Sequence, residues 1–211
     1  LDSWTLIPTG SLSSSESSVK LTERNIFGFG HQISGNIKNR FDTKERAVYA
    51  QYSINNIKNT YIRLDLDYAN DFNNDSKRSI NINRPFYSVI AKNAGGFYFE
   101  NRLLTEQFPY DDNIRAEKIA YNFQEYWYGR AFKISRKSNP ERHFTNLILG
   151  ITYNQKDFSK TPELYLDPTF YFSNEKNWIG MIGVSRQKFY QDTFVFNYNI
   201  TEDIPYGENI A

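Results

Sequence analysis

Apolar and polar residues alternate along most of this 211-residue chain, in short segments separated by polar turns. The clearest segment is YIRLDLDYAND at 61–71, in which apolar side chains at every second position alternate with Arg63, Asp65, Asp67 and Asp71. A period of two is typical of a half-buried β-strand, because successive side chains point to opposite faces. The segment therefore predicts a strand with one apolar and one charged face.

The same alternation recurs on both sides of this segment and predicts an all-β protein of roughly ten strands. The segment 119–134 is the one place where a helix could be argued, but its aromatic residues favour a strand. The connections are short, which predicts an antiparallel up-and-down order. The other strand-like runs are HQISGNIKN (31–39), RAVYAQYSI (46–54), KRSININRPF (77–86), GGFYFENRLL (95–104), FTNLILGITYN (144–154), DPTFYFS (167–173), NWIGMIGVSRQKF (177–189) and DTFVFNYNITED (192–203), with turns at RFDTKE (40–45) and RKSNPER (136–142).

The polar faces of these strands are rich in Asn, Asp, Arg and Glu, which limits where they can lie. Unpaired charges in a sandwich core are costly, so these faces require water or charged partners. The apolar faces fit either lipid or a covered core. The side chains predicted to face a hydrated barrel lumen are Arg63, Asp65, Asp67, Glu100 and Arg102.

Composition favours the membrane alternative. Aromatic residues make up 17% of the chain, with 16 Tyr and 17 Phe, although the mean hydropathy is −0.66. Such a combination suits strands that meet lipid on one side and water on the other, with aromatic side chains at the interfaces. A tyrosine-rich soluble β-sandwich is the competing interpretation. We therefore predict an antiparallel up-and-down transmembrane β-barrel.

Charge and residue content argue against several other functions. The net charge of +1 gives no field that would attract nucleic acid, and the absence of Cys excludes disulfides and thiolate metal sites. No apolar run reaches the ~18 residues of a transmembrane helix, whereas a membrane-spanning strand needs about 9–11. Neither His31 nor His143 lies in a cluster with metal-ligand spacing, and no nucleotide-binding or hydrolase motif is present. We predict no catalytic residues, no metal and no cofactor.

The segment ERNIFGFGHQISG at 23–35 resembles the first barrel strand of the bacterial surface antigen family, the outer-membrane assembly factors that include BamA- and TamA-like proteins. That family begins its barrel with a polar residue, Asn, an aliphatic residue, Phe-Gly and a further Gly before an alternating strand. The matching positions here, which we assign to a first strand at the barrel seam, are Glu23, Asn25, Ile26, Phe27, Gly28, Gly30 and Gly35.

A second resemblance lies near the end of the chain, where TEDIPYG is similar to a stretch in the middle of the barrel in the same family. Its residues here are Glu202, Asp203, Ile204, Pro205 and Gly207. The lead-in DSWTLIPTG also resembles the segment that joins the last periplasmic POTRA domain to the barrel. Residues 1–18 are accordingly interpreted as a lead-in with a short strand at WTLIP and a flexible serine-rich linker, and residues 19–211 as an incomplete barrel domain.

The resemblance implies insertion or export of polypeptides at the outer membrane of a Gram-negative bacterium. In the family the first strand, here residues 26–37, pairs weakly with the last, and the opened seam accepts a substrate strand by β-augmentation. The glycines would either weaken this pairing or allow tight curvature of the wall. Implied partners are outer-membrane lipids, unfolded outer-membrane or secreted polypeptides, upstream POTRA domains and accessory lipoproteins.

The chain also departs from the family pattern. It has fewer strands, lacks the Arg-Gly-Phe-like motif of the loop inside the barrel, and does not end on an aromatic residue. A chain that stops partway through the barrel explains all three departures. The alternatives are a passive outer-membrane channel, a barrel hydrolase that uses His143, and a soluble β-sandwich.

Overall fold

The computed structural model describes residues 5–26, 28–88, 90–111, 113–134, 143–193 and 201–210. For residues 143, 144, 187–193 and 201–210 it describes the backbone alone. Eleven strands form one sheet in which the spatial order follows the chain order from β1 to β11. A short 3-10 turn at Ile57–Asn59 is the one helical element in the described part. The strands are β1 (Leu6–Leu12), β2 (Glu16–Ile26), β3 (His31–Arg40), β4 (Arg46–Ile54), β5 (Arg63–Asn70), β6 (Ser76–Arg84), β7 (Asn93–Tyr110), β8 (Asn113–Lys133), β9 (His143–Lys160), β10 (Glu175–Thr193) and β11 (Thr201–Ile210).

The all-β, antiparallel, up-and-down prediction is confirmed, and the segment 119–134 lies in a strand as expected. Among the described residues no pairing joins β1 to β11, so the sheet is not closed. Closure into a barrel therefore stays a prediction.

The chain divides into two compact units. The first comprises residues Leu1–Arg84, Gly96–Tyr126 and Asn154–Asn177, and it contains the whole of β1 to β6. Antiparallel pairing places residues that lie opposite each other on the same face of the sheet. Two rows run across β3 to β6 in this way: one apolar, Ile33–Tyr52–Leu66–Ile80, and one polar, Gln32–Ser53–Asp65–Asn81.

The second unit comprises Pro85–Gly95, Trp127–Tyr153 and Trp178–Ala211. Aromatic and sulfur-containing side chains pack directly onto glycine backbone here. A Cβ placed on Gly129 would lie 3.2 Å from the ring of Phe86, and one on Gly150 would lie 3.1 Å from Cε of Met181. These two glycines therefore allow the close approach that larger residues would prevent.

The serine-rich segment at 11–18 was predicted to be a flexible linker, and this is wrong. It forms the tight connection of the β1–β2 hairpin, in which Ser11 lies opposite Ser18. The hydroxyl of Ser13 accepts the N–H of Glu16 at 3.0 Å and donates to its carbonyl at 3.1 Å. Serine suits such a turn because its short side chain bonds to nearby backbone.

The predicted strand DPTFYFS at 167–173 is instead part of the connection between β9 and β10. The Asp167 carboxylate accepts the backbone N–H groups of Tyr171 at 2.8 Å and Phe172 at 3.0 Å. Both amides are thereby bonded to a side chain of their own segment, which bends it into a turn.

The predicted strand at 192–203 is also wrong, because Thr193 and Thr201 lie opposite each other on the neighbouring strands β10 and β11. The predicted turn at 40–45 is confirmed by the connection between β3 and β4. The predicted turn at 136–142 lies outside the described residues, as does Trp4 of the predicted WTLIP strand. The last three residues of that strand, Leu6 to Pro8, lie in β1 as predicted.

Candidate functional site

In the first unit the polar residues are more deeply buried than many of the large apolar ones. Across the described residues the buried hydrophobic side chains are Ala47, Ala91, Ala94 and Ile119, whereas the buried polar ones are Glu23, Ser53, Asp65, Ser79, Glu100 and Asp167. Ile33, Ile37, Ile80 and Ile82 are 39–48% exposed. A soluble domain normally shows the reverse, with isoleucine inside and carboxylates outside.

A hydrogen-bonded network on the polar face is centred on Glu100 of β7. One carboxylate oxygen accepts the Tyr98 hydroxyl at 2.5 Å and lies 3.4 Å from Nζ of Lys77. The other accepts the Tyr121 hydroxyl at 2.9 Å and lies 3.9 Å from Arg102. Two hydroxyl donors and two cations thus compensate the buried charge of Glu100, as burial of a carboxylate requires.

The neighbouring carboxylates on β5 also have side-chain partners, a cation for Asp65 and a hydroxyl group for Asp67. Arg63 donates to both oxygens of Asp65 at 2.8 and 2.9 Å, and Ser79 donates to Asp67 at 3.2 Å. Such paired side chains hold a polar surface together but provide no nucleophile with an adjacent base. Arg63, Asp65 and Asp67 share one face of β5, as predicted. Contact of this face with a lumen stays a prediction.

Sequence reasoning missed Lys77 and Tyr121 as members of this network. Lys77 precedes Glu100 by 23 positions and Tyr121 follows it by 21, so only the strand register brings them together. The alternation in KRSININ, with Lys77 in phase with Ser79 and Asn81, was the signal that could have placed Lys77 on the polar face.

Asp71, the last charged residue of the opening segment, lies in the turn after β5 rather than on the polar face of a strand. Its carboxylate accepts the N–H groups of Asn73 and Asp75, both at 2.9 Å. The Asp75 carboxylate in turn accepts hydrogen bonds from Nζ of Lys118 and from the Thr105 hydroxyl, both at 2.7 Å. Burial raises the pKa of Asp75, but these hydrogen bonds outweigh burial and hold its pKa below the ordinary value.

The first family-like motif forms a turn between β2 and β3. The Glu23 carboxylate accepts the backbone N–H groups of Thr5 at 2.9 Å and Asn25 at 3.0 Å. The Asn25 side chain accepts the N–H of Gly30 at 2.7 Å. Gly28 and Gly30 have φ of 75° and 69°, a left-handed conformation that glycine adopts without steric cost.

The prediction of one continuous strand over 26–37 is therefore wrong. Ile26 is the last residue of β2, Gly28 and Gly30 lie in the turn, and Gly35 lies within β3. Phe27 lies outside the described residues. In the strand order these residues belong to β2 and β3, whereas β1 is the terminal strand. The structure thus brings Glu23, Asn25 and Gly30 together but leaves Gly35 apart from them.

The second family-like motif lies in β11, where Glu202 pairs with Asp192 and Gly207 with Gln187. Pro205 lies opposite Phe189 in this ladder. Proline has no N–H to donate, so it is tolerated in a terminal strand. Ile204 and Asp203 are in the same strand. A functional role for the motif stays a prediction.

The histidines show no arrangement for chemistry in the described residues. Nδ1 of His31 lies 2.7 Å from the Tyr52 hydroxyl, and the His31 ring contacts those of Phe29 and Tyr52. The His143 side chain lies outside the described part. Within the described ranges no group of three potential metal ligands occurs, and no helix is long and apolar enough to cross a membrane.

Comparison with known proteins gives no relative: no family model, no curated protein and no solved structure matches this chain.

We predict that Gly28→Ala and Gly30→Ala each lower the free energy of unfolding by about 1–2 kcal/mol, since alanine is strained at a left-handed φ. Gly35→Ala is the matched control, because an added Cβ meets nothing within 4 Å at any of the three positions and only Gly35 lacks the positive φ. Denaturant titration of the three variants measures the difference. Equal effects at all three positions would contradict the conformational explanation.

Proposed function

We propose that this chain forms part of the wall of an outer-membrane β-barrel in a Gram-negative bacterium, and that the barrel inserts or exports polypeptides. The observation that carries the membrane placement is the inverted burial in the first unit, where isoleucines are exposed and carboxylates are buried. The apolar face meets lipid and the polar face meets a hydrated interior in this proposal.

The energetics of the two faces support this placement. Exposed apolar surface costs about 25 cal/mol per Å² in water, and soluble monomers rarely expose large contiguous apolar patches. The row from Ile33 to Ile80 crosses four strands without a charged residue. Its next position, on β2, is Glu23, whose carboxylate accepts the backbone N–H groups of Thr5 and Asn25. Contact with lipid removes the free-energy cost of exposing this apolar row to water, while the paired carboxylates of the opposite face remain near water.

Transport of polypeptides is supported by the resemblance of the two motifs and by the position of β1. This strand pairs with β2 on one side, and no described residue pairs with its other side. An unpaired strand edge can accept an incoming strand by β-augmentation. The partners in this proposal are outer-membrane lipids, unfolded outer-membrane or secreted polypeptides, upstream POTRA domains and accessory lipoproteins. It requires no cofactor, reaction chemistry or nucleic acid.

A passive outer-membrane channel is the second candidate. It is favoured by the network around Glu100, in which carboxylates, cations and hydroxyl groups form a mutually compensated polar surface. It is favoured also by the turn at Gly28 and Gly30, whose conformation explains these glycines without any seam that opens.

The membrane placement predicts effects of different size when arginine is introduced at two adjacent positions of β3. In lipid vesicles Ile37→Arg should lower the free energy of unfolding by about 2–4 kcal/mol, because a lipid-facing charge is destabilising near the bilayer midplane. Asn36→Arg is the matched control on the polar face; it loses the hydrogen bond that Ser18 donates to Asn36 and should therefore lower the free energy of unfolding by only about 1 kcal/mol. Guanidinium titration of vesicle-bound protein measures both.

Two results would contradict the membrane placement. If both variants fold equally well, or if the unmodified chain is a folded monomer in buffer without lipid or detergent, the apolar face does not meet lipid. Circular dichroism and sedimentation in detergent-free buffer provide the second measurement.

A separate assay distinguishes the two candidate functions. A urea-unfolded outer-membrane barrel protein is added to vesicles with and without this chain, and its folding is followed by the mobility shift of folded barrels in gels. Polypeptide insertion predicts folding at least tenfold faster than with empty vesicles. Steady ion conductance across a bilayer without acceleration of folding would support the channel and exclude the insertase.

A further inference from the structure

A cavity of about 170 Å³ lies on the polar face of β2, β3 and β4, within the first unit. The space is open to solvent on one side, and because about 10–15 Å³ is enough to hold one water, it has room for a small polar group. The polar residues that line it are Lys20, Thr22 and Arg24 of β2, Gln32 and Ser34 of β3, and Gln51 and Ser53 of β4; Ile33 of the apolar row also borders it.

The two cations that line the cavity have no carboxylate partner in the described part of the chain. The ion pairs found there involve other cations, such as Arg63 with Asp65. Glu16 is the acidic residue on this face of β2, and its carboxylate lies 3.3 Å from Nε of Arg40. Lys20 and Arg24 are exposed and make no ion pair within the described ranges, while Asp65 and Asp67 of this face lie on the next strand, opposite Ser53 and Gln51.

Neutral hydrogen-bond donors surround these charges. Thr22, Ser34 and Ser53 contribute hydroxyl groups, and Gln32 and Gln51 contribute amides. No side-chain hydrogen bond of these five residues occurs within the described ranges, in contrast to Tyr98 and Tyr121, which both donate to Glu100. The cavity thus combines hydroxyl and amide groups that make no described side-chain hydrogen bond with two cations that make no described ion pair.

We propose that this cavity binds an oxyanion of the phosphate class. An arginine guanidinium presents a planar fork of donors that matches two phosphate oxygens, and a lysine ammonium adds a point charge. The hydroxyl and amide groups complete the shell around the remaining oxygens. The phosphate is either free in solution, including as part of a small solute, or belongs to a lipid headgroup.

The site goes beyond the proposed transport function and does not depend on it. Its residues lie on the polar face, and their charge and donors are the same whether the opposite face contacts lipid or protein. Failure of phosphate binding therefore leaves the membrane placement unchanged, and failure of that placement leaves phosphate binding testable.

The test is an isothermal calorimetric titration of the folded full chain with inorganic phosphate in chloride buffer. The double variant Lys20→Gln/Arg24→Gln should weaken phosphate binding at least tenfold. Ser34→Ala, which keeps both charges and removes one donor, should weaken it by a smaller factor. Arg24→Lys should also weaken it, because the fork of donors is lost.

The matched control is Lys38→Gln/Lys44→Gln, which removes the same net charge elsewhere in the first unit and should leave phosphate affinity within a factor of two. Equal weakening by the control would show general electrostatic attraction and overturn the proposal, as would absence of phosphate binding to the unmodified chain. Circular dichroism verifies that each variant is folded.

A second arm identifies the source of the phosphate. Phosphatidylglycerol in mixed micelles competes with inorganic phosphate if the site accepts lipid headgroups, and the competition disappears in Lys20→Gln/Arg24→Gln. Absence of competition, with phosphate binding retained, assigns the site to free phosphate or a phosphorylated solute.

Discussion

The register of the antiparallel ladder is the constraint on which the rest of the structure depends. Because side chains opposite each other share a face, a single alignment from β3 to β6 produces both the apolar row that includes Ile33 and the polar row that includes Asp65. A slip of one residue would exchange the faces of a strand and place a carboxylate among isoleucines. The inverted burial presupposes this alignment. The cation-lined cavity depends in the same way on the register of β2 with β3, and the Glu100 network on that of β6 with β7 and β8.

Local hydrogen bonds help to set where the strands begin and end. Glu23 joins the segment before β1 to the end of β2, and the Asn25 side chain closes the turn into β3. The side chains of Ser13 and Asp71 likewise accept backbone N–H groups in the turns between β1 and β2 and between β5 and β6. The residues that resemble a barrel-seam motif thus have a structural task of their own, which any transport function would use rather than replace.

The sequence predicted much of the fold because the signal for a strand is local. The period of two in β3 to β6 needs no knowledge of distant residues, and it placed Asp65 and Asp67 on one face. Turns were predicted less well: 167–173 is rich in aromatic residues with high strand propensity, although its Asp-Pro start is a turn signal. Similarly, the presence of Asn25, Gly28 and Gly30 within six residues favours a turn. Partners such as Lys77 and Glu100 depend on register between strands, which composition and alternation leave open.

Both candidate functions require that the apolar face of this sheet contacts lipid and that the polar face contacts water. The chain has no Cys, so a nitroxide can be attached at one introduced cysteine at a time along β5, at Leu64, Asp65, Leu66 and Asp67. Paramagnetic relaxation in vesicles then compares collisions with oxygen, which concentrates in lipid, and with a water-soluble nickel chelate. Contact of the apolar face with lipid predicts more oxygen collisions at 64 and 66 and more nickel collisions at 65 and 67. Equal access of the nickel chelate to all four positions would contradict it.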